Sequence, residues 1–386
     1  MTGHTDTHPL SRYGWAADVA EGFTPHLADG LVPARVVRVD RGRCSVVVPT
    51  AAGGTRTVQA VTGPLASHGS DPYVPTALFA KPSDGRLRTV CTGDWAAVDL
   101  EADPPAVLAL LPRRTAFVRS TSSKRSDGQV LAANIDLVVI AVSMAVELDL
   151  ARMERFLALA WECGAQPLLA LTKADLVEDP VSLGYLVADC EAAAPGVRVL
   201  AVSAENGTGV EELASAVAGG TAVLLGQSGA GKSTLANALL GEDAQQVQAA
   251  RDSDGKGRHT TTTRDLMPLP GGGVLIDTPG LRGVGLWDAE SGIAQVFSEI
   301  EELARSCRFH NCAHDAEPGC AVLSAMADGE LSERRLHSYR KLLRENEYIA
   351  SRTDSRLEAE IRREWKRRQV IGRDRSQRAD ETLDDL

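Results

Sequence analysis

The densest run of chemically capable residues in this 386-residue chain is GQSGAGKS at 226–233. Its spacing fits G-x-x-x-x-G-K-[ST]. An apolar stretch at 221–225 precedes it and reads as a strand, and Leu235, Leu239 and Leu240 follow at helical spacing. Strand, glycine-rich turn and helix are the setting in which this pattern binds phosphate. Gly226, Gly229 and Gly231 let backbone N–H groups turn inward around an anion without side-chain clashes. The helix points its positive end at the same place. Lys232 is long enough to reach β- and γ-phosphates, and the Ser233 hydroxyl suits Mg²⁺.

Further polar turns stand beside or at the ends of other apolar runs. TKAD at 172–175 supplies Asp175, a carboxylate able to accept two hydrogen bonds from the N1–H and amino group of guanine. Adenine offers no such pair, so a carboxylate here selects the base by leaving a wrong one unpaired. Lys173 can lie along the base face, and Ser203-Ala204 can supply a backbone N–H to the guanine oxygen. In DTPG at 277–280, Asp277 can hold the water shell of Mg²⁺ and the Gly280 N–H can reach a γ-phosphate. Within HTTTTR at 259–264, Thr262 is the hydroxyl expected to complete Mg²⁺ coordination, in a loop that orders on the γ-phosphate and releases after hydrolysis. Leu281 follows DTPG where a water-orienting polar residue would serve, so unaided turnover is expected to be slow, on the order of 10⁻⁴ to 10⁻² per second. His259 is the candidate to position the attacking water; the alternative is a loop histidine that contacts a partner. The order is permuted, because the base-selecting turns precede the phosphate loop.

A second constellation is CRFHNCAHDAEPGC at 307–320. Cys307, Cys312, His314 and Cys320 form a C-x4-C-x-H-x5-C spacing suited to a closed tetrahedral, structural Zn²⁺, with His310 as a rival ligand. So short a segment gains its fold from the metal, on the order of 10 kcal/mol in comparable sites.

The elements that must position these groups fall into distinct textures. The length calls for two or three domains, and 44% hydrophobic with 24% charged residues is globular composition. No apolar run approaches the roughly 18 residues that span a membrane, and no secretory signal is visible at the N-terminus. Seven cysteines, three of them crowded between Cys307 and Cys320, suit a metal site in a reducing compartment rather than a disulfide framework. Net charge is −11, against a general nucleic-acid binder. Residues 1–30 are polar and are expected to form a flexible extension. Short β-like runs at 34–40, 43–48, 55–61, 87–90 and 95–100 predict a small barrel over 31–112, OB-type or SH3-like on pattern alone. Tyr73, Phe79 and Trp95 are either its core and loop residues or a base-stacking platform. Residues 113–300 alternate apolar strands (134–142, 167–171, 197–202, 221–225, 274–276) with helical segments, which predicts a doubly wound parallel sheet with ligands at the carboxyl ends of its strands. Residues 301–386 carry the Cys/His segment, helices at 331–348 and 355–370 with an excess of arginine and lysine, and a polar acidic tail. Arg362, Arg363, Lys366, Arg367 and Arg368 are the densest basic cluster, either a solvated face or a phosphate-backbone contact.

Taken in order, TKAD, SA, GQSGAGKST, HTTT and DTPG followed by CRFHNCAHDAEPGC closely resemble the ribosome small subunit-dependent GTPase A family (RsgA, also called YjeQ), over about 31–350. The resemblance implies an N-terminal OB-fold barrel, a central α/β P-loop GTPase domain with circularly permuted motif order, and a C-terminal zinc-binding and helical domain. It implies GTP/GDP on Thr172, Lys173, Asp175, Gly226, Gln227, Ser228, Gly229, Ala230, Gly231, Lys232, Ser233 and Thr234, with Mg²⁺, and one zinc on Cys307, Cys312, His314 and Cys320. It further implies a cytoplasmic, monomeric factor of late small-subunit maturation whose GTP hydrolysis is stimulated by that subunit and its rRNA. Thr172 departs from the more usual asparagine. Two other readings stay open on the residues: an assembly scaffold with nucleotide as a structural ligand, and a metabolic P-loop kinase.

Overall fold

The computed structural model describes residues 8–40, 42–62, 89–119, 129–241, 264–277 and 289–351. The chain divides into two compact units: one comprises 1–118, 130–284 and 291–298; the other comprises 119–129, 285–290 and 299–386. Among the described residues no helix is long and apolar enough to cross a membrane.

In the first unit, five strands make the barrel: β1 (Val32–Asp40), β2 (Arg43–Pro49), β3 (Thr55–Val61), β4 (Trp95–Asp99) and β5 (Ala106–Leu110). They close in the order β1-β2-β3-β5-β4, with β4 returning to β1 and β3 running parallel to β5. This is the five-stranded Greek-key closure of an OB-fold. Alternating residues such as Val36, Val46, Val48, Val98 and Val107 fill it. The fifth strand is Ala106–Leu110, not the run expected at 87–90: Thr89 and Val90 are not strand, and 87–88 lie outside the described residues. Trp95 is buried in the core, which removes it as a stacking platform; Tyr73 and Phe79 lie outside the described residues.

The N-terminal segment corrects the expectation of a flexible extension. From Pro9 onward it is folded, with a 3-10 turn at Pro9–Tyr13 and helix α1 at Ala17–Phe23. Leu10, Val19 and Phe23 are buried beside Val47, Trp95 and Leu111. Trp15 meets Trp95 edge-on with ring centroids 5.2 Å apart. A few apolar residues scattered in a polar stretch show no periodicity, yet here they cover the outer face of β2 and β4, where Val47, Trp95 and Ala97 alternate with the residues that fill the barrel.

After a two-stranded sheet of β6 (Ala116–Arg119) and β7 (Gln129–Ala133), the α/β alternation begins. It runs β8 (Leu137–Ser143), α2 (Leu150–Glu162), β9 (Gln166–Thr172), α3 (Pro180–Ala193), β10 (Arg198–Val202), α4 (Val210–Val217), β11 (Thr221–Gly226), α5 (Lys232–Leu240), β12 (Asp265–Pro268) and β13 (Val274–Asp277). Strands β10-β9-β8-β11-β13 are parallel, and β12 adds antiparallel to β13. Leu235 and Leu239 of α5 and Leu213 of α4 bury against one face of this sheet. Strand β12 also meets β1, Arg38 opposite Asp265, so barrel and α/β sheet form one eleven-stranded array.

Charged and polar groups lock that seam. Asp94, fully buried, holds Arg113 through Nε at 2.6 Å and Nη2 at 2.8 Å. Arg35 donates to Thr221 Oγ1 (2.9 Å), at the start of β11, and lies 4.6 Å from the Trp95 ring centroid. Asn134, in the left-handed region at φ 54°, donates to the Gly93 carbonyl at 2.9 Å. Gly93 itself is at φ 93°, and a β-carbon there would strike the Ala133 carbonyl oxygen.

In the second unit, α7 (Ser298–Ala304), α8 (Ala321–Ala327) and α9 (Glu333–Ser351) are held by Arg335 on Glu299 (2.6 Å) and Tyr339 on Glu301 (2.7 Å). Helix α6 (Glu290–Val296) belongs mostly to the first unit, where its Gly292 abuts the Ala158 backbone. The helix expected at 355–370 and its basic cluster lie outside the described residues.

Replacing Asp94 by Asn leaves the Arg113 charge buried without its partner. The expected cost is about 3–5 kcal/mol, read as a lower urea midpoint, and the double variant Asp94→Asn/Arg113→Met should regain most of it.

Candidate functional site

Parallel strands put their carboxyl ends on one edge, and here the register aligns them closely. Thr172 ends β9 opposite Ser143 of β8 on one side and Val202 of β10 on the other. Gly226 ends β11 opposite Ala141 of β8. At φ 146° and with the Ala141 carbonyl oxygen where a β-carbon would go, position 226 admits only glycine. The chain then turns through Gln227, Ser228, Gly229 and Ala230 to Gly231, whose φ of 78° starts α5.

Lys232 curls back over this loop, its ammonium donating to the Gly226 carbonyl at 2.8 Å and to that of Gln227. Ser233 and Thr234 follow in the first turn, both exposed. Beyond β9, Lys173 adopts the left-handed conformation (φ 61°) and sets Asp175 at the start of a short turn. Ser203, fully buried at the end of β10, donates from Oγ to Asp175 Oδ1 at 2.5 Å. Ser203 Oγ also accepts from the backbone N–H groups of Glu205 and Asn206, both at 3.3 Å. The carboxylate is thus oriented by a side chain that is itself tied down.

A cavity of about 320 Å³ opens between these turns, lined by Thr172, Lys173, Asp175, Ala204, Gly231 and Thr234 among others. A second, of about 310 Å³, lies along Gln227–Ala230, the 143–149 loop and α2. Lys173 lines both. The geometry offers an exposed carboxylate on the wall of a half-open pocket, beside a glycine-rich loop and a lysine. That is a base-sized recess joined to an anion cradle.

Of the predicted residues, Thr172, Lys173, Asp175, Ser203, Ala204 and 226–234 come together at this edge. Asp277 ends β13, beside β11. Gly280, Thr262 and His259 lie outside the described residues, as does Leu281. Sequence reasoning missed the link between Thr172 and the phosphate loop: Thr172 Oγ1 donates to the Ala230 carbonyl at 2.8 Å. No local signal marks a contact between residues so far apart in the chain.

In the second unit, one ligand atom from each of Cys307, Cys312, His314 and Cys320 lies within 4.8 Å of the others. Cys307 Sγ is 3.8 Å from Cys320 Sγ and 3.6 Å from His314 Nδ1, which is 3.4 Å from Cys320 Sγ. Zinc bonds of about 2.3 Å to sulfur and 2.0 Å to nitrogen in a tetrahedron separate ligands by about 3.5–3.8 Å. The spacing and the soft donor set are compatible with zinc. His310 is exposed and outside the cluster. Glu317 organises the loop, accepting from the N–H groups of Ala313, Asp315 and Ala316 at 2.8–3.1 Å. Those bonds, from Ala313 and Asp315 foremost, pull its pKa to about 2. Its contribution is therefore fully present above the ordinary carboxylate pKa and is lost as pH falls towards 2. Nothing in the motif spacing flagged Glu317.

Comparison with known proteins bears on the family of the chain. The family model described as RsgA GTPase matches residues 110–287. The Small ribosomal subunit biogenesis GTPase RsgA of Streptomyces coelicolor is 64% identical over 372 residues, covering 96% of each chain. Its counterpart in Streptomyces avermitilis is 63% identical over 369 residues, covering 96% of this chain and 94% of that one. In fold, the chain is similar to the crystal structure of YjeQ from Thermotoga maritima, with a TM-score of 0.57 at 23% identity over 82% of this chain and 98% of that chain. With identity of this extent along almost its whole length, the chain belongs to the RsgA GTPase family.

Proposed function

We propose that the protein hydrolyses GTP in the course of late small-ribosomal-subunit maturation, with turnover stimulated by that subunit. The observation that carries this reading is the meeting of the Asp175 pocket with the phosphate loop at adjacent strand ends, in a chain 64% identical to a Small ribosomal subunit biogenesis GTPase.

On this reading Asp175 accepts from guanine N1–H and its amino group, and Ala204 supplies a backbone N–H to the guanine oxygen. Lys173 covers the base. Backbone N–H groups of 226–231 surround the phosphates, and Lys232 exchanges the Gly226 and Gln227 carbonyls for phosphate oxygens. Ser233 and Thr262 are the hydroxyls to hold Mg²⁺, which when bound offsets charge at the β- and γ-phosphates; Asp277 holds its water shell. Gly280 meets the γ-phosphate, and His259 is the group proposed to position the attacking water. Leu281 cannot orient water, so slow unaided turnover awaits the particle. Cys307, Cys312, His314 and Cys320 hold one structural zinc. Residues 31–112, 113–300 and 301–386 act as barrel, GTPase and zinc-bearing helical domains, docking on rRNA as a cytoplasmic monomer.

Three measurements test this. GTP hydrolysis by the purified protein should rise by about 10²-fold or more with small ribosomal subunits and not with large ones; tight GTP binding without that rise favours a scaffold instead. Asp175→Asn should weaken GTP by roughly 10²-fold or more and gain affinity for xanthosine triphosphate, whose carbonyl at position 2 accepts from the new amide; titration of both nucleotides reads this. Metal analysis should find one zinc per chain, lost in Cys320→Ser together with the helicity of the second unit.

A further inference from the structure

We infer that Thr172 is a positioning residue for the nucleotide: its hydroxyl proton braces the phosphate loop, and it does not read the base. This rests on the GTP reading above. Thr172 is 4% exposed. Its backbone is fixed in the sheet between β8 and β10, and its carbonyl accepts from Met144 N–H at 3.0 Å. The side chain is thus delivered to the cavity wall from a rigid position.

A threonine hydroxyl carries a single proton. Two carbonyls lie within reach, Ala230 at 2.8 Å and Val142 at 3.3 Å, and the shorter bond takes it. Ala230 is itself buried. Its carbonyl shares a peptide plane with the Gly231 N–H, and in a trans peptide the two point in opposite directions. Holding the carbonyl towards Thr172 therefore aims the Gly231 N–H away from it. Left-handed Gly231 is the residue most free to rotate at this point, so the peptide before it is where a brace matters. A donor aimed in advance costs no reorganisation when phosphate arrives.

The same accounting excludes a base contact. Guanine N7 and O6 are acceptors, and Thr172 has no second proton to offer them. An asparagine at this position would bring two amide protons and could serve both loop and base. Threonine keeps one task and gives up the other.

The test is a cycle between a side-chain proton and a base atom. Dissociation constants of GTP and 7-deaza-GTP, which lacks N7, are measured for the full chain as wild type, Thr172→Val and Thr172→Ser. The expected result is that Thr172→Val weakens both nucleotides by the same factor, at least about threefold. The 7-deaza-GTP to GTP ratio should stay within about twofold of wild type, and Thr172→Ser, which keeps the proton, should bind like wild type. Loss of shape alone would not be rescued in that way. Thr172→Ala carries the same expectation if Thr172→Val does not fold. A loss below threefold on removing the proton, a loss confined to GTP, or a failure of Thr172→Ser to bind like wild type overturns the inference. Wild-type protein that binds no GTP overturns the underlying reading instead, whatever the variants do.

Discussion

The closeness of β11 to β8 is the constraint on which the rest depends. Gly226 lies so near the Ala141 carbonyl that no side chain fits between them. That approach places the start of the phosphate loop level with the end of β8, and β8 in turn sets the level of β9. Once the strand ends share one edge, turns from distant parts of the chain face one another without further adjustment. Connection order is then irrelevant to the site. A chain that enters the sheet at the strands bearing TKAD and Ser203 and reaches the Gly226 turn later still brings the same edge together.

The seam with the barrel obeys a different logic. Burying Arg35 lowers its pKa to about 10, chiefly by desolvation, yet it stays charged at neutral pH. Burying the Asp94–Arg113 pair gains little net stability over apolar packing. What these groups supply is direction: hydrogen bonds from Arg35 to Thr221, Asn134 to Gly93, and Thr92 to the Arg264 carbonyl fix the barrel on the α/β sheet in one orientation. Two of those bonds end on consequential places. Thr221 begins the strand that leads into the turn at 226–233, and Arg264 stands immediately before β12. The barrel is thus tied both to the strand that leads into that turn and to the residue that precedes β12.

The cysteine cluster is a third solution to the same problem of positioning. Its loop has too few apolar residues to build a core. Four clustered side chains compatible with zinc, a left-handed His314 and the Glu317 carboxylate gathering backbone N–H groups order it instead.

The sequence alone determined the chemistry and its setting, because each motif is local. Glycines at 226, 229 and 231, the TKAD turn and the C-x4-C-x-H-x5-C spacing are short patterns whose residues act within a few positions of one another. Apolar runs likewise declared β8, β9 and β11. Tertiary structure alone decided what arises between distant segments. The fifth strand of the barrel is Ala106–Leu110 because pairing with β4 and β3 selects it. Residues from Pro9 fold because Trp95 and Leu111 present an apolar surface to Leu10 and Phe23. The hydroxyl of Thr172 finds the Ala230 carbonyl only once β9 and β11 are placed in the sheet. Periodicity and motif spacing record what a residue does with its neighbours in the chain; a hydrogen bond across 58 residues leaves no trace in either.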